Sequence, residues 1–254
     1  MKIKYLSTLL FIFTSLVIYS QRPKADLIKS KTGSIKIQPI LHSTFVLQWN
    51  NKTIYIDPYG GTNAFKEIDN PDMIIITDIH GDHLDLETLK KIAPEKTIFI
   101  TPRAVADKLP IIYHENLIIL NNNETTKQLG IQIKAIAMYN LPDEPDSKHP
   151  KGRGNGYILS MGEKNIYISG DTEDINEMRS LKNIHVAFVC MNLPYTMDIN
   201  QAASAVLEFK PKIVYPFHYR GKPDMSDTQA FKNLVNNKNS NIEVRLRNWY
   251  PEYD

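Results

Sequence analysis

The chain has 254 residues, 42% apolar and 23% charged, with 11 glycines and 15 prolines. That composition excludes a disordered chain, a collagen-like repeat and a multi-span membrane protein, and it allows one hydrophobic core of full size. The formal charge is only +2, and Lys2 and Lys4 account for the whole excess, so nothing points to a nucleic-acid partner.

Residues 1–20 read as a secretory signal peptide. Lys2 and Lys4 precede a mostly apolar run from Leu6 to Ile18, and Tyr19-Ser20-Gln21 offers a cleavage zone. The expected product begins near Gln21 and is exported, either periplasmic or secreted. No cysteine lies near the cut, so no lipid anchor or stable membrane attachment is expected. After a polar linker from Arg22 to Lys31, a single domain is expected over 32–254.

Ser34 to Leu41, Thr44 to Gln48 and Thr53 to Asp57 alternate as strands, the last two joined by a turn at Asn50-Asn51. Met73 to Thr77 is a short apolar run that suits a buried strand. Asp85 to Ile92 has helical spacing and stops before Pro94. Thr97 to Thr101 predicts a strand, and Pro102 to Leu109 a short helix. The second half repeats the plan, with strands over Gln132–Met138, Gly156–Ser160, Asn165–Ser169, Val186–Met191 and Ile213–Phe217. Helices follow over Asn200–Phe209 and Thr228–Val235. Strand groups followed by strand–helix units, occurring twice, suggest two sheets packed face to face with helices outside. Residues 141–155 form one long loop, a length that is often functional.

The densest chemistry is Asp78-Ile79-His80-Gly81-Asp82-His83-Leu84-Asp85, directly after a strand. The single cysteine, Cys190, rules out a multi-cysteine zinc site, so any metal must be held by histidine and carboxylate. The bland reading is a polar loop with Asp85 capping the next helix. Asp171 after Gly170, His218 at a strand end and His42 in the first hairpin region are further candidates. Alone, each would pass as a turn or structural residue. The loop from Lys151 to Asn155 offers two cations, Lys151 and Arg153, that could bind an anion or simply face solvent. Tyr195, in the segment Asn192 to Met197, could line a pocket or belong to a turn.

With these motifs in this order, the chain resembles the metallo-β-lactamase superfamily over about residues 34–250. The family motif His-x-His-x-Asp-His stands here as Asp78-x-His80-x-Asp82-His83, its later aspartate as Asp171 in Gly170-Asp171-Thr172, and its last histidine as His218. More narrowly, Asp57-Pro58-Tyr59, His149-Pro150-Lys151-Gly152 and Gly170-Asp171-Thr172-Glu173 are similar to the ascorbate-6-phosphate-lactonase-like branch of metal-dependent hydrolases.

The resemblance implies an α/β fold, a four-layer αββα sandwich of the metallo-β-lactamase type, with two divalent metal ions. Asp78, His80 and His149 would hold one metal, with Asn140 as the alternative to His149. Asp82, His83 and His218 would hold the other, and Asp171 would bridge. Zinc is the first expectation, and the extra carboxylate favours manganese or iron as alternatives. A metal-bound hydroxide would attack a small ester, lactone or phosphodiester, anionic substrates included, with Asp82 accepting the proton. Asp85 and Glu173 would orient imidazoles, and His42 would serve the substrate pocket or the ligands.

Two positions depart from the family: Asp78 replaces a histidine, and the middle histidine is missing near Tyr139-Asn140. The added charge of Asp78 is expected to weaken the Lewis acidity of its metal and raise the pH optimum. The alternatives are a metallo-β-lactamase and a non-catalytic metal- or partner-binding module.

Overall fold

The computed structural model describes residues 22–253. The signal-peptide reading of residues 1–20 lies outside them. The first sheet runs in chain order through β1 (Asp26–Ser30), β2 (Gly33–Leu41), β3 (Thr44–Trp49), β4 (Lys52–Ile56), β5 (Met73–Ile75), β6 (Ile98–Thr101) and β7 (Leu117–Ile119). Pairing is antiparallel from β1 to β4 and parallel from β4 to β7.

The second sheet holds β8 (Thr125–Gln128), β9 (Ile131–Met138), β10 (Gly154–Met161), β11 (Lys164–Ile168), β12 (Val186–Cys190), β13 (Ile213–Phe217) and β14 (Glu243–Val244). It repeats the plan, antiparallel from β8 to β11 and then parallel to β14.

Period-two alternation sets the layers. On β3, Phe45, Leu47 and Trp49 join the central core, while Val46 joins the core beneath the helices. On β5, Met73 and Ile75 turn one way and Ile74 the other. Phe45 stacks on Phe188 of the opposite sheet with centroids 4.0 Å apart, which locks the two inner faces together. The helices α1 (Leu86–Ile92) and α2 (Arg103–Ala106) belong to the first half. The helices α3 (Asn176–Arg179), α4 (Ile199–Phe209) and α5 (Thr228–Lys238) belong to the second. Leu89, Ile92 and Val105 pack under the first sheet; Ala202, Val206, Phe231 and Val235 close the other outer face. The result is the expected αββα sandwich.

The expected linker from Arg22 to Lys31 instead contains β1, which pairs Asp26 with Ile37, so the sheet begins before residue 32. Its alternation is short and carried by Ile28 alone as a buried residue, which hid it among polar neighbours. β7 and β8 also escaped the pattern because they are short and at most partly buried, and β14 because it is only two residues long.

The parallel strands β4, β5, β11, β12 and β13 deliver their C-terminal loops to one edge of the sandwich. β2 and β9, each two antiparallel steps from such a strand, point the same way. The carboxyl ends of parallel strands are where α/β sheets build sites. His42, Asp57, the Asp78–Asp85 segment, the Asn140–Arg153 loop, Asp171, Tyr195 and His218 all follow those strands.

Candidate metal centre

Asp57, after β4, is 1% exposed and anchors the site from below. Its Oδ1 accepts from the Thr77 backbone N–H at 2.7 Å, and its Oδ2 accepts from Thr77 Oγ1 at 2.7 Å. His83 Nδ1 lies 2.8 Å from the same Oδ2 and donates to it. That bond leaves the lone pair of Nε2 facing the opposite sheet, where His218 Nε2 stands 3.2 Å away. Asp171 sits between the two rings, with Oδ2 3.4 Å from His83 Nε2 and Oδ1 3.2 Å from His218 Nε2. Asp57 is a site residue that sequence reasoning missed as such. The signal available was an aspartate closing a buried strand within the quoted Asp57-Pro58-Tyr59.

Three of these side chains are aimed by unusual backbone. His42, Asp57 and His218 have φ of 60°, 43° and 45°, a region that non-glycine residues rarely occupy unless the surroundings hold them there. Backbone bonds clamp two of them, from His218 N–H to His42 O at 3.2 Å and from His42 N–H to Trp249 O at 2.8 Å. Gly170 lets Asp171 approach, because a Cβ there would lie 2.5 Å from Met138 Sδ.

A second donor group consists of Asp78, His80 and His149, whose ligand atoms lie within 4.8 Å of one another. Asn140 is not a donor in it. Its Oδ1 accepts from the His149 backbone N–H at 2.7 Å and from Nδ1 at 3.0 Å, so His149 Nε2 is the atom turned inward. Glu173 accepts from Asn140 Nδ2 at 3.3 Å. It therefore steadies His149 through Asn140 and touches no imidazole itself. His149 Nε2 lies 3.3 Å from Asp171 Oδ2, which joins this group to the first.

His42, Asp82 and His218 also converge, but the hydrogen bonds exclude His42 as a free donor. The Arg220 backbone N–H donates to Tyr250 Oη at 2.7 Å, and the Tyr250 hydroxyl donates to His42 Nδ1 at 2.8 Å. His42 Nε2 therefore carries the proton and donates to Asp82 Oδ2 at 3.0 Å. His42 is a neutral imidazole that holds Asp82 in place. Burial and the neighbouring His218 push its pKa down to about 4.

The electrostatics call for cations. Burial works against the charge of Asp171, but His218 and His83 outweigh it and hold its carboxyl well below the usual range. Burial likewise opposes a charge on His83, and Asp171 and Asp57 override it and raise its pKa well above the imidazole value. Asp82 is held low against its burial by hydrogen bonds from His218 and His42. Two buried atoms facing the centre, His149 Nε2 and Asp171 Oδ1, have no hydrogen-bond partner. Imidazole nitrogens and carboxylate oxygens left bare in a buried cluster are the donor set of a divalent metal site. The residues fit a divalent metal.

Several expected roles need correction. Asp85 caps α1, accepting at Oδ1 from the Glu87 and Thr88 N–H groups and at Oδ2 from Thr88 Oγ1; both oxygens are used and it orients no imidazole. Lys151 lies over the Tyr139 ring and 3.5 Å from Glu177, away from the centre. Arg153 is no free anion binder: its Nε and terminal amine reach Asp78 Oδ1 at 3.3 and 3.2 Å. The cation beside the cavity is Lys148. It lines a cleft of about 320 Å³ with His80, Asp82, Asp171, Asn192 and Tyr195.

Comparison with known proteins gives the family and the fold. A β-lactamase superfamily domain matches residues 36–218. A UPF0173 metal-dependent hydrolase of Pyrococcus furiosus is 30% identical over 220 residues, covering 80% of this chain and 93% of that protein. A proposed metal-dependent hydrolase from Parabacteroides distasonis has a similar structure, with TM-score 0.78 and 36% identity over 89% of this chain and 98% of its own. A metallo hydrolase of Ignicoccus hospitalis shares the fold, with TM-score 0.69 at 24% identity over 84% of this chain and 94% of its own.

Proposed function

Because the chain belongs to the β-lactamase superfamily and is a metal-dependent hydrolase of the UPF0173 kind, we propose that it cleaves a small anionic ester, lactone or phosphodiester at a two-metal centre. The observation that carries this reading is the pair of donor groups sharing Asp171, open to the Lys148–Tyr195 cleft. Bound divalent metals, zinc or else manganese or iron, would supply Lewis acidity and a water made acidic enough to react near neutral pH.

The chain's own residues do the rest. His83, His218 and Asp171 would hold one metal, with Asp82 beside them, and Asp78, His80 and His149 the other. Asp82 is ionised, partly open to the cleft, and steadied at Oδ2 by His42. It would take a proton from the attacking water. Lys148, which forms no ion pair among the described residues, offers a positive charge to an anionic substrate, and Tyr195 beneath it offers a flat apolar face. Export remains part of the proposal, on the basis of residues 1–20.

The deciding experiment is a screen of metal-loaded protein against anionic and neutral phosphodiesters, lactones, simple esters and β-lactams. Turnover of an anionic ester, lactone or phosphodiester, with its KM raised by Lys148→Ala and kcat little changed, is the expected result. Preference for β-lactams, or indifference to Lys148, would sink the substrate assignment.

A further inference from the structure

We propose that Asp78 and Arg153 form a coupled pair, in which the guanidinium is the fixed counter-charge that lets a carboxylate serve at the position of Asp78, His80 and His149. The inference rests on the metal reading of the centre and adds what sets affinity at that position.

Asp78 is fully buried, and a buried carboxylate needs a partner. Arg153 meets it with a forked contact: Nε and the terminal amine approach Oδ1 at 3.3 and 3.2 Å, and the same amine lies 3.2 Å from Oδ2. His80 Nδ1 lies 2.5 Å from that Oδ2. A lysine could not reproduce the fork. The same terminal nitrogen of Arg153 also donates to the Lys148 carbonyl at 2.8 Å, which ties the guanidinium to its own loop. It sits on the loop that supplies His149, so one segment brings both a donor and the neutralising charge.

With Arg153 in place, the charges of Asp78 and the guanidinium cancel, and the position presents no more net charge than three neutral imidazoles would. Each half of the pair is therefore wrong without the other. Histidine at 78 alone would leave an unbalanced guanidinium beside the metal. Loss of Arg153 alone would leave the full charge of Asp78 to attract it.

The test is zinc titration into the chelator-stripped chain, reading bound equivalents and binding heats, with thermal unfolding as a check on folding. The wild type should take up two equivalents. Asp78→His should keep the equivalent held by His83, Asp171 and His218 and weaken the other by about tenfold or more. Asp78→His with Arg153→Met should bring that second equivalent back to within about threefold of the wild type. Arg153→Met alone should tighten the same position by about tenfold, which keeps the idea testable if histidine at 78 disturbs folding. Two equivalents bound as tightly by Asp78→His as by the double variant would overturn the coupling, as would no change in Arg153→Met. A wild type that takes up no zinc would instead overturn the metal reading itself, and the pair's role with it.

Discussion

His83 and His218 come from opposite sheets, yet their Nε2 atoms face each other 3.2 Å apart in a buried space. Two imidazole lone pairs repel at that separation unless a proton or a metal lies between them, and Asp171 reaches both rings. The centre thus ties the two halves of the sandwich together through charge. Metal removal should therefore lower stability. At a free metal concentration a hundred times Kd, linkage contributes about 2.7 kcal/mol, or about 5–10 °C in Tm for a chain of this size. Thermal unfolding with and without a chelator checks it, and an unchanged Tm would argue that no metal links the sheets.

Asp57 fixes the tautomer of His83 from outside the ligand set. Asp57→Asn keeps the shape but can present an amide to Nδ1, which spoils the acceptor. Affinity for the metal at the His83 position should fall by about 10–100-fold, with the Asp78 position much less affected. Competition with a chromogenic chelator measures both.

Asp85 separates a helix cap from a site residue. Asp85→Ala should cost about 1 kcal/mol through loss of the N-cap while leaving metal content unchanged. Urea unfolding and elemental analysis together read the two effects. A loss of bound metal in a well-folded variant would restore a role for Asp85 at the centre.

His42 gives the metal-free chain a pH dependence of definite sign. Its folded pKa, about 4, lies below the ordinary imidazole value of 6.5, so between those values the unfolded chain binds the proton more readily. The His42 contribution to stability is complete above pH 6.5 and is lost as pH falls towards 4. The metal-free His42→Asn variant should be less stable at neutral pH, yet lose less stability over that window. Equal slopes for variant and wild type, in urea titrations across the range, would contradict the assignment.

The amino-acid sequence alone carried the strand alternation of both halves, the helix that begins after Asp85, and the cluster from Asp78 to His83. Those are local features: period-two burial, a cap and a ligand-rich turn are written in neighbouring residues. β1 was not legible, because a short edge strand with one buried side chain reads as polar linker. Only the tertiary structure could decide between His149 and Asn140, since the answer is which atom of each faces inward once Asn140 Oδ1 accepts from His149. It alone brought Arg153 to Asp78, 75 residues away, and Tyr250 to His42, 208 residues away. The physical reason is the same in each case. Residue types and local spacing determine which groups can ligate or donate. The partner that sets a tautomer or balances a buried charge is chosen by the edge at which distant strands end.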